Sequence, residues 1–215
     1  IISGQSIPVT FKGRDSYTDF NKVVLSGNIN EKNFDFNCGL AMHEGSHIVY
    51  TDREALGKMN YIMKEELGPS RINGVASDYN FELEQLVKKI TNYIEDRRID
   101  MLVYKSAPGY RGYYQALYKK YFEAKSINKA FRLKLYDKPT VTNYLFYITG
   151  MTNQYCNSSD LPGLKNIFKI IDLNNVARLK NTTDVIRVAA RVAKIIIREI
   201  LKSNDQNTNE PDLNK

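Results

Sequence analysis

A chain of 215 residues is long enough to bury a sizeable core, as one large domain or two small ones. Its 42% hydrophobic and 26% charged residues exclude a disordered or collagen-like polymer. Thirty-one Lys and Arg against 24 Asp and Glu leave a net charge of +7, which invites nucleic acid, acidic protein or a membrane surface without selecting among them.

In chain order, the first 36 residues read as strands and turns. The segments 7–13 (IPVTFKG) and 22–27 (KVVLSG) are short, β-branched and ended by Gly, as strands of a small sheet should be. Asn37 offers a helix cap, and Leu40, Ala41, Ile48 and Val49 predict the buried side of a helix to about Tyr50. A second helix is expected from about Asp52 to Leu67, stopped by Gly68-Pro69. A long one is expected from about Tyr79 to Lys105, with Leu83, Leu86, Val87, Ile90, Ile94 and Met101 on one seam. Further helices are expected at about 110–125, 127–136, 140–155 and 182–202, with loops and short turns over 157–181 around Pro162-Gly163. The stretch 203–215 is polar and aperiodic, a linker or a disordered end. The expected class is α+β: a small N-terminal sheet, then mostly helices in one domain over 1–202, with lobes at about 1–105 and 106–202.

The chemistry concentrates in HEGSH, His43 to His47, on the first predicted helix. Both histidines of the chain lie in it. Residues four apart share a helix face, so both imidazoles can reach one metal ion. Glu44, one step from His43, can contact a water on that metal without being a ligand. A zinc with three protein ligands keeps a fourth position for water and lowers its pKa to about 7. Glu44 then accepts the proton as the water attacks a carbonyl. Two histidines fall four apart with Glu after the first roughly once in two thousand random placements.

With no third His, the third ligand is a carboxylate or water. The segment NYIEDRRID, 92–100, is where carboxylates crowd a helix that also has a strong apolar seam. Glu95 lies roughly 100° from Ile94, at the border of the buried face, and is the preferred ligand. Asp96 lies further round, near Asn92 and Asp100, and is the alternative. The ordinary explanation is a solvated patch in which these acids pair with neighbours such as Arg98 by helix spacing.

On these residues the chain resembles the zincin metallopeptidases, the gluzincin branch in particular, in which H-E-x-x-H on one helix is joined by Glu from a later helix. The combination of HEGSHIVYTD with NYIEDRRID is also similar to a group of phage and bacterial metallopeptidases whose domain often precedes a von Willebrand factor A-type domain. The resemblance covers about 60 residues, to Asp100, and its first motif is the specific one. It implies a zincin-like fold, one zinc per chain held by His43, His47 and Glu95, and Glu44 as general base. It also implies a sheet edge that binds substrate backbone beside the active-site helix, and a cleft between an upper and a lower lobe. Gluzincins commonly place an acid four positions after the ligand Glu to orient a ligating His. Here Ile99 follows Glu95 at that spacing, whereas Asp100 follows Asp96, which keeps the Asp96 register open. The expected setting is the cytoplasm of a bacterial or phage-infected cell, consistent with two cysteines, Cys38 and Cys156, too few for a disulfide framework. The opening IISGQSIPVT has no signal-peptide pattern and no initiator Met, so it reads as a trimmed or processed start, and no apolar run approaches the roughly 18 residues of a membrane span.

Peptide hydrolysis also needs a donor for the developing oxyanion. Arg111, Tyr113 and Tyr114 follow the Pro-Gly turn after the long helix and are the candidates. Tyr50 and Asp52, close behind the motif, are candidates for orienting the site. Cys38 reads as packing. Ten Lys or Arg against two acids between Arg97 and Leu135, a net +8, read as solvated helix faces. The expectation is a zinc metallopeptidase acting on a peptide or protein. The rival is a non-enzymatic binding module with a structural or vestigial metal site, whose basic helical half holds nucleic acid or acidic protein.

Overall fold

The computed structural model describes residues 6–68, 71–72, 75–76 and 81–208. Three short strands open the chain: β1 (Val9–Phe11), β2 (Tyr17–Thr18) and β3 (Val23–Leu25). β3 lies between the others, parallel to β1 and antiparallel to β2. All of its VVL is buried: Val23 and Leu25 point to the core shared with α1, and Val24, on the opposite face, is covered as well. The two expected strands are present in shortened form, and β2 is the one the sequence pattern missed. Two residues are too few to show a period.

Helix α1 runs Phe34–Tyr50 and starts earlier than expected. A 3-10 turn, Glu31–Asn33, leads into it, held by Asn30 and Asn33, each of whose side chains accepts a backbone N–H of the turn. Asn37 is therefore not the cap. It is a buried helix residue whose amide donates to the carbonyl of Asn33. The expected helix over 52–67 is two, α2 (Arg53–Gly57) and α3 (Met59–Leu67), parted at Lys58. Asp52 caps α2 by accepting the amides of Glu54 and Ala55. Gly68 ends α3 at φ +67, where a side chain would be strained. Pro69 and the expected start of the next helix at Tyr79 lie outside the described residues. Between them β4 (Arg71–Ile72) pairs antiparallel with β5 (Val75–Ala76).

The long helix α4 covers Phe81–Ser106, about 39 Å at 1.5 Å per residue. Its expected seam is observed: Leu83, Leu86, Val87, Ile90 and Ile94 are buried, with Met101 packed beside them. After it come α5 (Arg111–Phe122), α6 (Lys125–Arg132) and α7 (Val141–Thr149). The stretch expected as loops contains α8 (Leu164–Ile171) and a 3-10 helix, Leu173–Arg178. Leu164, Ile167 and Ile171 share one face of α8 and are fully buried. The last helix, α9, runs Thr182–Thr208, so the expected tail is helical to 208 and 209–215 lie outside the described residues. Arg187 and Arg191 of α9 pair at 3.1 Å with Glu65 and Glu66 of α3, while Val185, Val188, Ala189, Val192 and Ile196 face the core. No helix among the described residues is long and apolar enough to cross a membrane.

The class is α+β, as expected. Two cores hold it. One is built on α4 and α9 with α7 and α8. The other joins β3 and α1 to Val103 of α4 and to Tyr114 and Leu117 of α5. The cores therefore do not part at residue 105, since α5 packs with the N-terminal sheet. Gly39 permits that packing: a Cβ there would collide with the backbone carbonyl of Tyr113. The helix α4 belongs to both cores, and the candidate site lies where α1 crosses it.

Candidate metal centre

His43 and His47 sit one turn apart on α1, their rings 5.0 Å centre to centre and nearly perpendicular. Each ring has its Nδ1 engaged. Nδ1 of His43 lies 2.8 Å from Asp100 Oδ1, and Nδ1 of His47 lies 3.0 Å from Thr51 Oγ1. With Nδ1–H donated, each ring turns the lone pair of Nε2 the other way. Both Nε2 atoms face Asp96 Oδ1, at 3.9 Å from His43 and 3.2 Å from His47. That oxygen is buried and accepts no hydrogen bond. Among the described residues, His43, His47 and Asp96 form a group that could hold a metal ion, with their ligand atoms all within 4.8 Å of one another.

Glu95, the preferred third ligand, is corrected by this geometry. Its carboxylate is held by Arg98 through Nε at 2.8 Å and Nη2 at 2.7 Å, and by the hydroxyl of Thr182 at 2.8 Å. The same Arg98 nitrogen donates to the carbonyl of Tyr50, and Thr182 Oγ1 accepts the amide of Asp52. Glu95 and Arg98 are each about 3% exposed. Nor is the pair the solvated patch of the ordinary explanation: it is a buried knot tying α4 to the end of α1, the start of α2 and the start of α9. One residue further, a rotation of roughly 100° points Asp96 at the histidines instead. Asp100, one turn beyond Asp96, reaches His43 as the alternative register required.

Asp100 divides its oxygens between two partners. Oδ1 faces His43, and Oδ2 accepts the hydroxyl of Tyr118 at 2.8 Å. Burial lowers the affinity of His43 for a proton, but the hydrogen bond and charge of Asp100 outweigh it and raise the pKa to about 9. Burial pushes the carboxyl of Glu44 upward, only partly countered by the two histidines. Burial and the Asp100 charge push the Tyr118 phenol far above its ordinary value.

A cavity of about 410 Å³ opens onto these groups. His43, Glu44, His47, Asp96 and Asp100 line one side, Ser16 to Thr18 and Phe20 another, and Tyr118 and Tyr121 a third. The edge strand β2 thus borders the histidine helix, and Thr18 and Glu44 line the same cavity. The expected oxyanion donors do not line it. Arg111 is exposed and donates to the carbonyl of Tyr104. Tyr113 packs its backbone against Gly39 and its ring near Tyr110. Tyr114 is buried, its hydroxyl 3.5 Å from Ser46 Oγ. Tyr50 acts through its carbonyl and Asp52 as a cap, and neither borders the cavity. Cys38 is half-buried on α1, its thiol pushed up by burial.

Sequence reasoning missed Thr51, Tyr118 and Arg97. Thr51 was within reach, because it lies four residues after His47 and so on the same side of the helix. Tyr118 carries no mark that sets it apart from the other fourteen tyrosines. Compared with protein-family models, curated proteins and solved structures, the chain finds no match.

Proposed function

We propose that this protein is a zinc-dependent metallopeptidase of zincin type, with His43, His47 and Asp96 as the metal ligands and Glu44 as general base. One observation carries the reading. A buried carboxylate oxygen without a hydrogen bond faces two imidazole nitrogens whose opposite nitrogens are already occupied. Ligands of tetrahedral zinc at bond lengths near 2.0–2.1 Å stand about 3.3 Å apart, close to the 3.2 Å and 3.9 Å separations here. Two His and one carboxylate are also a donor set of catalytic zinc sites that keep one position open.

Zinc bound there would lower the pKa of a water to about 7 and polarise a substrate carbonyl. The chain's own residues supply the rest. Asp100 accepts the Nδ1 proton of His43, which makes Nε2 the nitrogen that binds once the ring is neutral. The hydroxyl of Thr51 can accept the Nδ1 proton of His47 in the same way. Glu44 lies in the same cavity without belonging to the ligand group, and its raised pKa suits a group that accepts a proton and passes it on. The edge of β2 offers backbone along which an extended peptide can lie.

The test is a metal assay joined to a turnover assay. Purified protein should hold about one zinc per chain, and His43→Ala, His47→Ala and Asp96→Ala should each lose it. Glu44→Gln should keep its zinc while hydrolysis of a broad peptide library falls by about 10²–10⁴-fold, the usual contribution of a general base. Wild-type activity in Glu44→Gln, or equal zinc in all the histidine variants, would remove the assignment.

A further inference from the structure

One charged group of the site is buried with only a loose ion pair to account for it. Arg97 has a side chain 6% exposed, with its guanidinium 4.8, 4.4 and 4.2 Å from the ring centres of Tyr93, Tyr118 and Phe122. Rings cover the faces of a planar cation and satisfy none of its N–H donors. Nε and Nη1 are buried with no acceptor. The carboxylate oxygen paired with it, Asp100 Oδ2, is 4.0 Å from Nη1 and already takes the Tyr118 hydroxyl. An apolar side chain could pack the same rings without stranding those donors, so packing does not explain an arginine here.

Its location does suggest a role. Arg97, Asp100 and Tyr118 form a wall shared by two cavities. One is the cavity of the candidate metal centre. The other, about 500 Å³, is bounded on its far side by Met101, Tyr104, Leu173 and Val176. From His43 the guanidinium is one carboxylate away, through Asp100. Arg97 also lines the metal-centre cavity itself, so a group held by its guanidinium shares that cavity with Glu44 and Asp96.

We propose that Arg97 anchors a carboxylate of the substrate, and that this is the C-terminal carboxylate of a peptide whose last side chain enters the second cavity. The guanidinium is suited to this because its donors match a carboxylate in a fixed fork. The inference rests on the peptidase reading, and it makes the enzyme one that cuts close to a free C-terminus.

The experiment uses zinc-loaded Glu44→Gln protein, which should bind without turning over, and a hexapeptide library prepared as matched free acids and C-terminal amides. Retained peptides are counted by mass spectrometry. Free acids should be retained at least tenfold over amides. The ratio should fall to about one in an Arg97→Gln, Glu44→Gln protein and recover in part with Arg97→Lys, which keeps the charge and loses the fork. Enrichment of amides that carry Asp or Glu would assign the anchor to a side-chain carboxylate and overturn the C-terminal assignment. Equal retention of acids and amides without such enrichment, or retention of neither, would overturn the proposal. The comparison with Arg97 intact does not depend on whether the Arg97 variants fold. A free-acid preference without hydrolysis by the Glu44-intact enzyme would remove the peptidase reading alone. Equal hydrolysis of acids and amides would remove the Arg97 role alone.

Discussion

Asp100 Oδ1 lies 2.8 Å from Nδ1 of His43, across the crossing of α1 and α4. That contact decides which nitrogen of the ring is left to bind. A carboxylate accepts the Nδ1 proton, Nε2 carries the lone pair of the neutral ring, and the ring is held in one orientation. Asp100→Asn should therefore weaken zinc binding by 10–100-fold, the usual cost of losing such a partner, and leave the ligands in place. Competition with a chelator of known affinity measures it. An unchanged dissociation constant would mean that the contact has no part in metal binding.

The neighbours Glu95 and Asp96 should fail in different ways. Asp96→Asn removes a proposed ligand and should abolish stoichiometric zinc while leaving the metal-free fold about as stable. Glu95→Gln leaves Arg98 buried without its counter-charge and should cost on the order of 3–5 kcal/mol of folding stability. Urea unfolding in excess chelator separates the two effects. If Glu95→Gln were as stable as wild type and Asp96→Asn were not, the two roles would have to be exchanged.

The metal-free protein should show a pH dependence set by His43. Its folded pKa, about 9, is above the unfolded value of about 6.5. The stabilisation is therefore fully present below about pH 6.5 and disappears as pH rises through about 9. The loss should be on the order of 3 kcal/mol, read from urea midpoints between pH 6 and 9.5 in chelator. Zinc requires the neutral ring, so its affinity should climb about tenfold per pH unit between 7 and 9. A flat stability profile would contradict the His43–Asp100 pairing.

Two glycines of α1 should respond with opposite signs. Gly39→Ala drives a methyl into the backbone of Tyr113 and should destabilise by about 1–3 kcal/mol despite its better helix propensity. Gly45→Ala meets nothing within 4 Å and should stabilise by about 0.4–1 kcal/mol. Thermal melts of the two variants settle it. Equal shifts would mean that α1 and α5 do not pack at Gly39.

The sequence carries the histidine pair plainly, because four-residue spacing on a helix is a local property. It also carries the apolar seam of α4. The spacing of Asp96 and Asp100 holds the register that faces the histidines, yet the border position of Glu95 argues for the acid that faces away. What decides between them is Thr182, 87 residues beyond Glu95, and no local pattern can show that partner. The helix over 164–171 has its apolar period in the sequence, but Pro162-Gly163 reads as loop punctuation. In the fold Gly163, at φ +70, marks the helix's start rather than its absence. The two-residue strand β2 borders the cavity and is too short for any period to reveal.

The knot around Glu95 bears on the order in which the molecule can be assembled. The histidines and both acids are in place once residue 100 has been synthesised, but the carboxylate that locks α4 also needs Thr182, and the back of α4 is covered by α9. A nascent chain carries every proposed ligand long before the helix that holds Asp96 can be fixed in its rotation. Tight metal capture should then come late, after the C-terminal helix docks, so that chains cut short before α9 should hold metal only weakly.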